Sequence, residues 1–160
     1  IVTYLGRIGQ KALTEQQTQV HTQLMAATND LENIGDVIET DLVYLGNEGI
    51  DKRVIISKET REVLRKLHDI ITSTAELAID AVMENDPQSA LEVIAMKADI
   101  NRLMESAAMH ESRRLVVEAP NRLAAYTMEI DIIEKLKRIY YFSKRMAKTV
   151  DPEEESEEAA

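Results

Sequence analysis

Apolar residues recur at steps of three and four along most of this chain, which is the period of an amphipathic helix rather than of a strand. The first long run is Val20, Leu24, Ala27, Leu31, Ile34, Ile38, Leu42 and Leu45. Just before it stands "LTEQQ", where Thr14 can cap a helix and Gln17 sits three residues later, as in a capping box. The spacing predicts a helix of about 30 residues ending near "YLGNEG". Ahead of it, "IVTYL" reads as the last turn of a preceding helix, with Gly6 and Gly9 loosening the chain.

A connector, "NEGIDKRVIIS", carries the short apolar piece Val54, Ile55 and Ile56, which could lie extended or pack on a bundle. Ser57 can cap a second helix, with Val63, Leu67, Ile70, Thr74, Leu77 and Ala81 on one side. "NDPQS" ends it: Asp86 can cap, and Pro87 suits the first position of a third helix. That helix shows Val93, Met96, Ile100, Leu103 and Ala107 and runs to about Leu115, where "EAPN" breaks it. A fourth runs from about Asn121 to Val150, with Tyr126, Ile130, Ile133, Leu136, Ile139 and Tyr140 on its apolar side. Short joins between long helices force neighbours to run in opposite directions, so the expected fold is all-α, an antiparallel up-and-down bundle of four long helices. Residues 1–13 are then the end of a preceding helix and a linker, 14–150 the bundle, and 151–160 an acidic tail.

Composition agrees with long helices and narrows the function. The 160 residues are 44% apolar, enough for one core, with five glycines and three prolines to make turns. The absence of cysteine excludes disulfides, thiolate metal sites and thiol catalysis. No apolar run approaches the roughly 20 residues that span a bilayer. The net charge of -10 argues against a nucleic-acid partner, which needs a basic face. Six of the acids, Asp151, Glu153, Glu154, Glu155, Glu157 and Glu158, lie in the tail, which reads as solvated, self-repelling chain. A start at Ile1 rather than Met suggests a piece processed from a longer protein.

The candidate chemistry lies in "NDLENIGDVIETD", residues 29–41. On a helix, Glu32 and Asp36 are four apart and Glu39 comes three later, so they share a stripe flanked by Asn29. Hard cations take several oxygens, and one helix supplies too few; a second helix, waters or a partner chain would have to complete the shell. With Leu31, Ile34 and Ile38 in the core these acids point to water, and an ordinary solvated face is the simpler explanation of them. Asp30 and Asp41 project elsewhere and read as surface charge. Gly35 implies a close neighbour, because glycine inside a helix costs about 1 kcal/mol relative to alanine.

Elsewhere the bland reading dominates. Lys135, Lys137, Arg138, Lys144, Arg145 and Lys148 complement the dipole at a helix C-terminus, and could also dock an acidic surface, anionic lipid or phosphate species. His21, His68 and His110 have no Glu-x-x-His partner and read as packed or partly exposed side chains. Met25, Met96, Met104, Met109, Met128 and Met146 read as gap-fillers. There is no pattern for a catalytic triad and no Gly-rich phosphate loop; "LGRIGQ" lacks the strand and spacing.

Sliding the first helix by 105 positions lays "LENIGD" over "LKRIYY", and Val20, Ala27, Leu42 and Leu45 over Ala125, Ile132, Ala147 and Val150. With "YLGRI", "ISKE", "NDPQSA", "HESRRL" and "IEKLKRIYYFSKRMAK", the chain from Ile1 to Val150 resembles the PhoU-like domain at the C-terminus of bacterial sodium/phosphate cotransporter proteins. The resemblance implies two three-helix repeats, the first represented here mainly by its last helix. It also implies a regulatory, non-enzymatic domain on the cytoplasmic side of the inner membrane, whose partner is the membrane-embedded transporter portion of the same protein. Family members carry an acid-x-x-x-acid motif that holds iron, zinc or other metals, and Glu32 and Asp36 fit it; Lys137 and Tyr141, at the second-repeat positions, cannot. The competing readings are a carboxylate metal enzyme and a plain helical adaptor that forms a homodimer through an exposed stripe.

Overall fold

The computed structural model describes residues 1–115 and 121–150. The acidic tail and the break at Pro120 lie outside the described residues. Among the described residues every regular element is helical and there is no strand. The order is α1 (Val2–Ile8), α2 (Glu15–Asp36), a π-helical stretch (Val37–Leu42), α3 (Val43–Asp51), α4 (Lys58–Glu84), α5 (Pro87–Ala95), α6 (Lys97–Leu115) and α7 (Arg122–Lys148).

The helix starts obey the capping chemistry in the sequence. Thr14 Oγ1 accepts from the Gln17 amide at 3.3 Å while Gln17 Oε1 accepts from the Thr14 amide at 3.0 Å, a reciprocal capping box. Ser57 Oγ accepts from the Thr60 amide at the head of α4. Asp86 takes the Gln88 and Ser89 amides and the Ser89 hydroxyl, with Pro87 as the first residue of α5. Those bonds, the Ser89 hydroxyl foremost, hold the Asp86 carboxyl below its usual range. Helix α4 stops at Asn85, whose left-handed backbone (φ 51°) ends the helical ladder. Val54, Ile55 and Ile56 form no regular element, and Ile55 is exposed.

Two expected helices are interrupted. The run from residue 15 to 51 changes to i→i+5 bonding at Val37–Leu42, where the Val43 amide reaches back to the Ile38 carbonyl. This wider turn adds a residue and rotates α3 relative to α2. The third helix is divided at Met96 into α5 and α6.

Helix α7 sits at the centre and packs against α2, α4, α5 and α6. The core joins Leu67, Ile71, Ala78 and Ala81 of α4, Val93 and Ile94 of α5, and Ile100, Met104 and Ala107 of α6. Ile133, Leu136, Ile139, Tyr140 and Met146 of α7 complete it together with Ala27, Ile34 and Val37. The Tyr140 ring is buried among them, and burial pushes its hydroxyl up to about 12.

Candidate functional site

The acidic stretch lies along α2 and the π turn, and its residues divide by face. Glu32, Asp36 and Glu39 are exposed. Among the described residues no group of three His, Asp or Glu side chains comes close enough to hold a metal ion, so Glu32 and Asp36 stand as a lone pair on the surface. Asp30, by contrast, is only 1% exposed, and Asp41 is largely covered. The expectation that Asp30 and Asp41 are ordinary surface charge is therefore corrected. The buried line of α2 is Ala27, Asp30 and Ile34, continued by Val37 of the π turn and rotated from the expected stripe; Leu31 and Ile38 lie outside it, exposed.

Both covered acids are answered from α7. Arg145 Nη2 lies 3.4 Å from Asp30 Oδ1. Lys135 Nζ and Arg138 Nη1 lie 3.0 and 3.1 Å from Asp41 Oδ2. As residue numbers rise from Asp30 to Asp41 their partners fall along α7, so the two helices run antiparallel, clamped within α2 and again at the π-helical stretch. Burial raises the Asp30 carboxyl above its ordinary value, and the Arg145 guanidinium pulls it back only in part. Arg145 also lies over the Tyr141 ring, 5.7 Å from its centre. At this end a cavity of about 460 Å³ is lined by Gln19, Thr22, Gln23, Ala26, Asp30, Arg145 and Lys148 among others.

Of the basic residues on α7, Lys135, Arg138 and Arg145 are thus held by acids of the α2 region, and Lys137 is exposed. A further ion pair has no clear signal in the sequence: Glu129, fully buried, meets Arg122 at 3.2 Å. Only the i, i+7 spacing of the two residues could have hinted at it. His21 Nε2 is 2.8 Å from the Leu5 carbonyl oxygen and ties α1 to α2. His68 is exposed beside Asp69, and His110 is half-buried.

Gly35 does not have the neighbour expected of it. It is exposed, and nothing lies within 4 Å of where a Cβ would stand. The tight glycines are Gly49, where that Cβ would be 3.0 Å from Met128 Sδ, and Gly9, where it would meet the His21 ring.

The 105-residue echo acquires a structural meaning. Ile34 and its counterpart Ile139 are both buried. The outer faces differ. On α7, Ala125, Glu129, Ile133, Leu136, Tyr140 and Ser143 are all buried. Their counterparts on α2 are Val20, Leu24, Thr28, Leu31, Gly35 and Ile38; Thr28 is half-buried and the other five are exposed. On α7 this face is buried, whereas on α2 α1 packs beside it and most of its residues stay exposed. No family model, no curated protein and no solved structure matches this chain.

Proposed function

We propose that this chain is a PhoU-like regulatory domain of a sodium-dependent phosphate transporter, acting on the cytoplasmic side of the inner membrane by protein contact rather than by catalysis. The observation that carries the reading is the α2–α7 pair. Two helices of matching pattern run antiparallel, and the face that is buried on α7 is left partly exposed on α2, beside α1. Such a pair is what a two-repeat, four-helix PhoU-like bundle would contain, and the exposed part of that face of α2 is its contact surface. Membrane attachment would come from the transporter portion, since among the described residues no helix is long and apolar enough to cross a membrane.

Metal enters this reading as a secondary role for Glu32 and Asp36. Two exposed carboxylates one turn apart can supply part of the shell of an iron or zinc ion, with water or a partner completing it. Loss of metal in the Glu32→Ala, Asp36→Ala double variant, measured by elemental analysis of chelator-free protein, is the expected result; equal metal in both proteins removes these residues from the site. Among the described residues no convergent set of acids favours the carboxylate metal enzyme. The regulatory reading is tested by deleting residues 14–150 from the full transporter. Phosphate uptake should lose its adjustment between scarce and abundant phosphate, and unchanged adjustment would refute the proposal.

A further inference from the structure

Between α2 and the last turns of α7 lies the cavity of about 460 Å³, to which the contact reading gives no role. It opens on a face of α2 away from α1, which packs beside Val20, Leu24 and Leu31. On one wall Gln19, Gln23, Ala26 and Asp30 follow each other at helical steps of three and four; Arg145 and Lys148, three apart, stand on the other. Asp30 is the most buried residue of the lining, at 1% exposed. Its Oδ1 accepts no hydrogen bond, and Arg145 Nη2, at 3.4 Å, pairs with it by charge alone. A buried acceptor without a donor is costly, and the cavity is where a donor can reach this one.

We propose that the cavity binds inorganic phosphate in a protonated form, with Arg145, Lys148 and the Gln19 and Gln23 amides donating to its oxygens and Asp30 accepting from its P–OH. Two cations and one carboxylate give the lining a net positive charge, which calls for an anion. The carboxylate among them sets a second condition. The anion must also carry a proton to donate, since a fully ionised one is repelled by Asp30. Sulfate and chloride have none at neutral pH. A phosphate monoester loses its second proton near about pH 6, so at about pH 7.5 most of it has none either. Inorganic phosphate keeps at least one. A zwitterion such as an α-amino acid satisfies both walls only by leaving the surplus positive charge unmatched. The bound ion joins α2 to α7 at the Asp30–Arg145 pair, away from Glu32 and Asp36. The proposal stands on this geometry and does not rest on the transporter reading.

Isothermal titration calorimetry of the 160-residue chain at about pH 7.5, with orthophosphate, glycerol phosphate and sulfate as separate ligands, tests it. The expected result is one orthophosphate per chain, held about tenfold or more tightly than either of the others. Asp30→Asn, whose amide can donate, should admit sulfate as readily as orthophosphate, a change of preference that a merely structural Asp30 would not produce. Arg145→Ala should weaken orthophosphate binding about tenfold. If that variant misfolds, Lys148→Gln should weaken it severalfold instead. Four results would each overturn the site: no orthophosphate bound by the wild-type chain, glycerol phosphate or sulfate bound as tightly, a preference unchanged by Asp30→Asn, or binding indifferent to loss of the cations. Each of them leaves the transporter reading to be judged by uptake.

Discussion

Asp30 is the residue whose environment departs furthest from what its neighbours in sequence suggest. It lies on the buried line of α2 with a half-exposed Arg145 as its counter-charge, and burial raises its carboxyl above the ordinary value. A carboxyl raised in the folded state lowers stability when ionised. The penalty is absent below the unfolded value of 3.8, grows as pH rises from there to the folded value, and is complete above it. Arg145 limits that penalty. Arg145→Ala should therefore cost about 1–2 kcal/mol at pH 7, less than for a fully buried pair because the guanidinium is half in water. The loss should shrink at a second pH below the ordinary carboxyl value of 3.8, where Asp30 is protonated in the folded and the unfolded chain alike. Adding Asp30→Asn should restore most of the stability at neutral pH. Denaturant titrations at the two pH values give the answer, and an equal loss at both would show that Arg145 acts through packing alone. Neither the burial of Asp30 nor the Glu129–Arg122 pair could be read from the chain, because helical spacing does not distinguish an acid on a solvent face from one answered by a neighbouring helix.

At the scale of the element, α2 shows both the reach and the limit of periodicity. Its start at Glu15 comes from the Thr14 and Gln17 box, and its continuation toward residue 51 from the apolar run. Two adjacent lines of apolar residues share that run, however, and the pattern cannot say which one a neighbour covers. The core takes Ala27 and Ile34 and rotates toward Asp30 and Val37, leaving Leu24, Leu31 and Ile38 open. The π turn was equally hidden, since Val37–Leu42 holds no glycine or proline to mark it. Gly35 offers a direct probe of the element. It is exposed, has ordinary helical surroundings and no positive φ, so Gly35→Ala should raise stability by about 0.5–1 kcal/mol. Thermal unfolding of the two proteins side by side measures this. A drop in stability would mean that the open space at Gly35 is filled within the chain itself.

For the whole molecule, the helical class and the four principal helix starts were legible because caps and apolar spacing act locally. The partnership of α2 with α7 was visible only as an echo of spacing. Its meaning required the ion pairs that set the two helices antiparallel and the burial that separates their outer faces. The acids that looked most like a site, Glu32 and Asp36, lie at the edge of that partly exposed face rather than in an enclosed centre. This arrangement suits a domain that works by contact through α2. The most direct test is phosphate uptake by cells carrying the full transporter with Leu31→Glu, compared with wild type and with the deletion of residues 14–150. The account predicts that Leu31→Glu, at normal protein levels, loses the adjustment to phosphate supply as the deletion does. Wild-type adjustment in Leu31→Glu, beside a clear defect in the deletion, would contradict it.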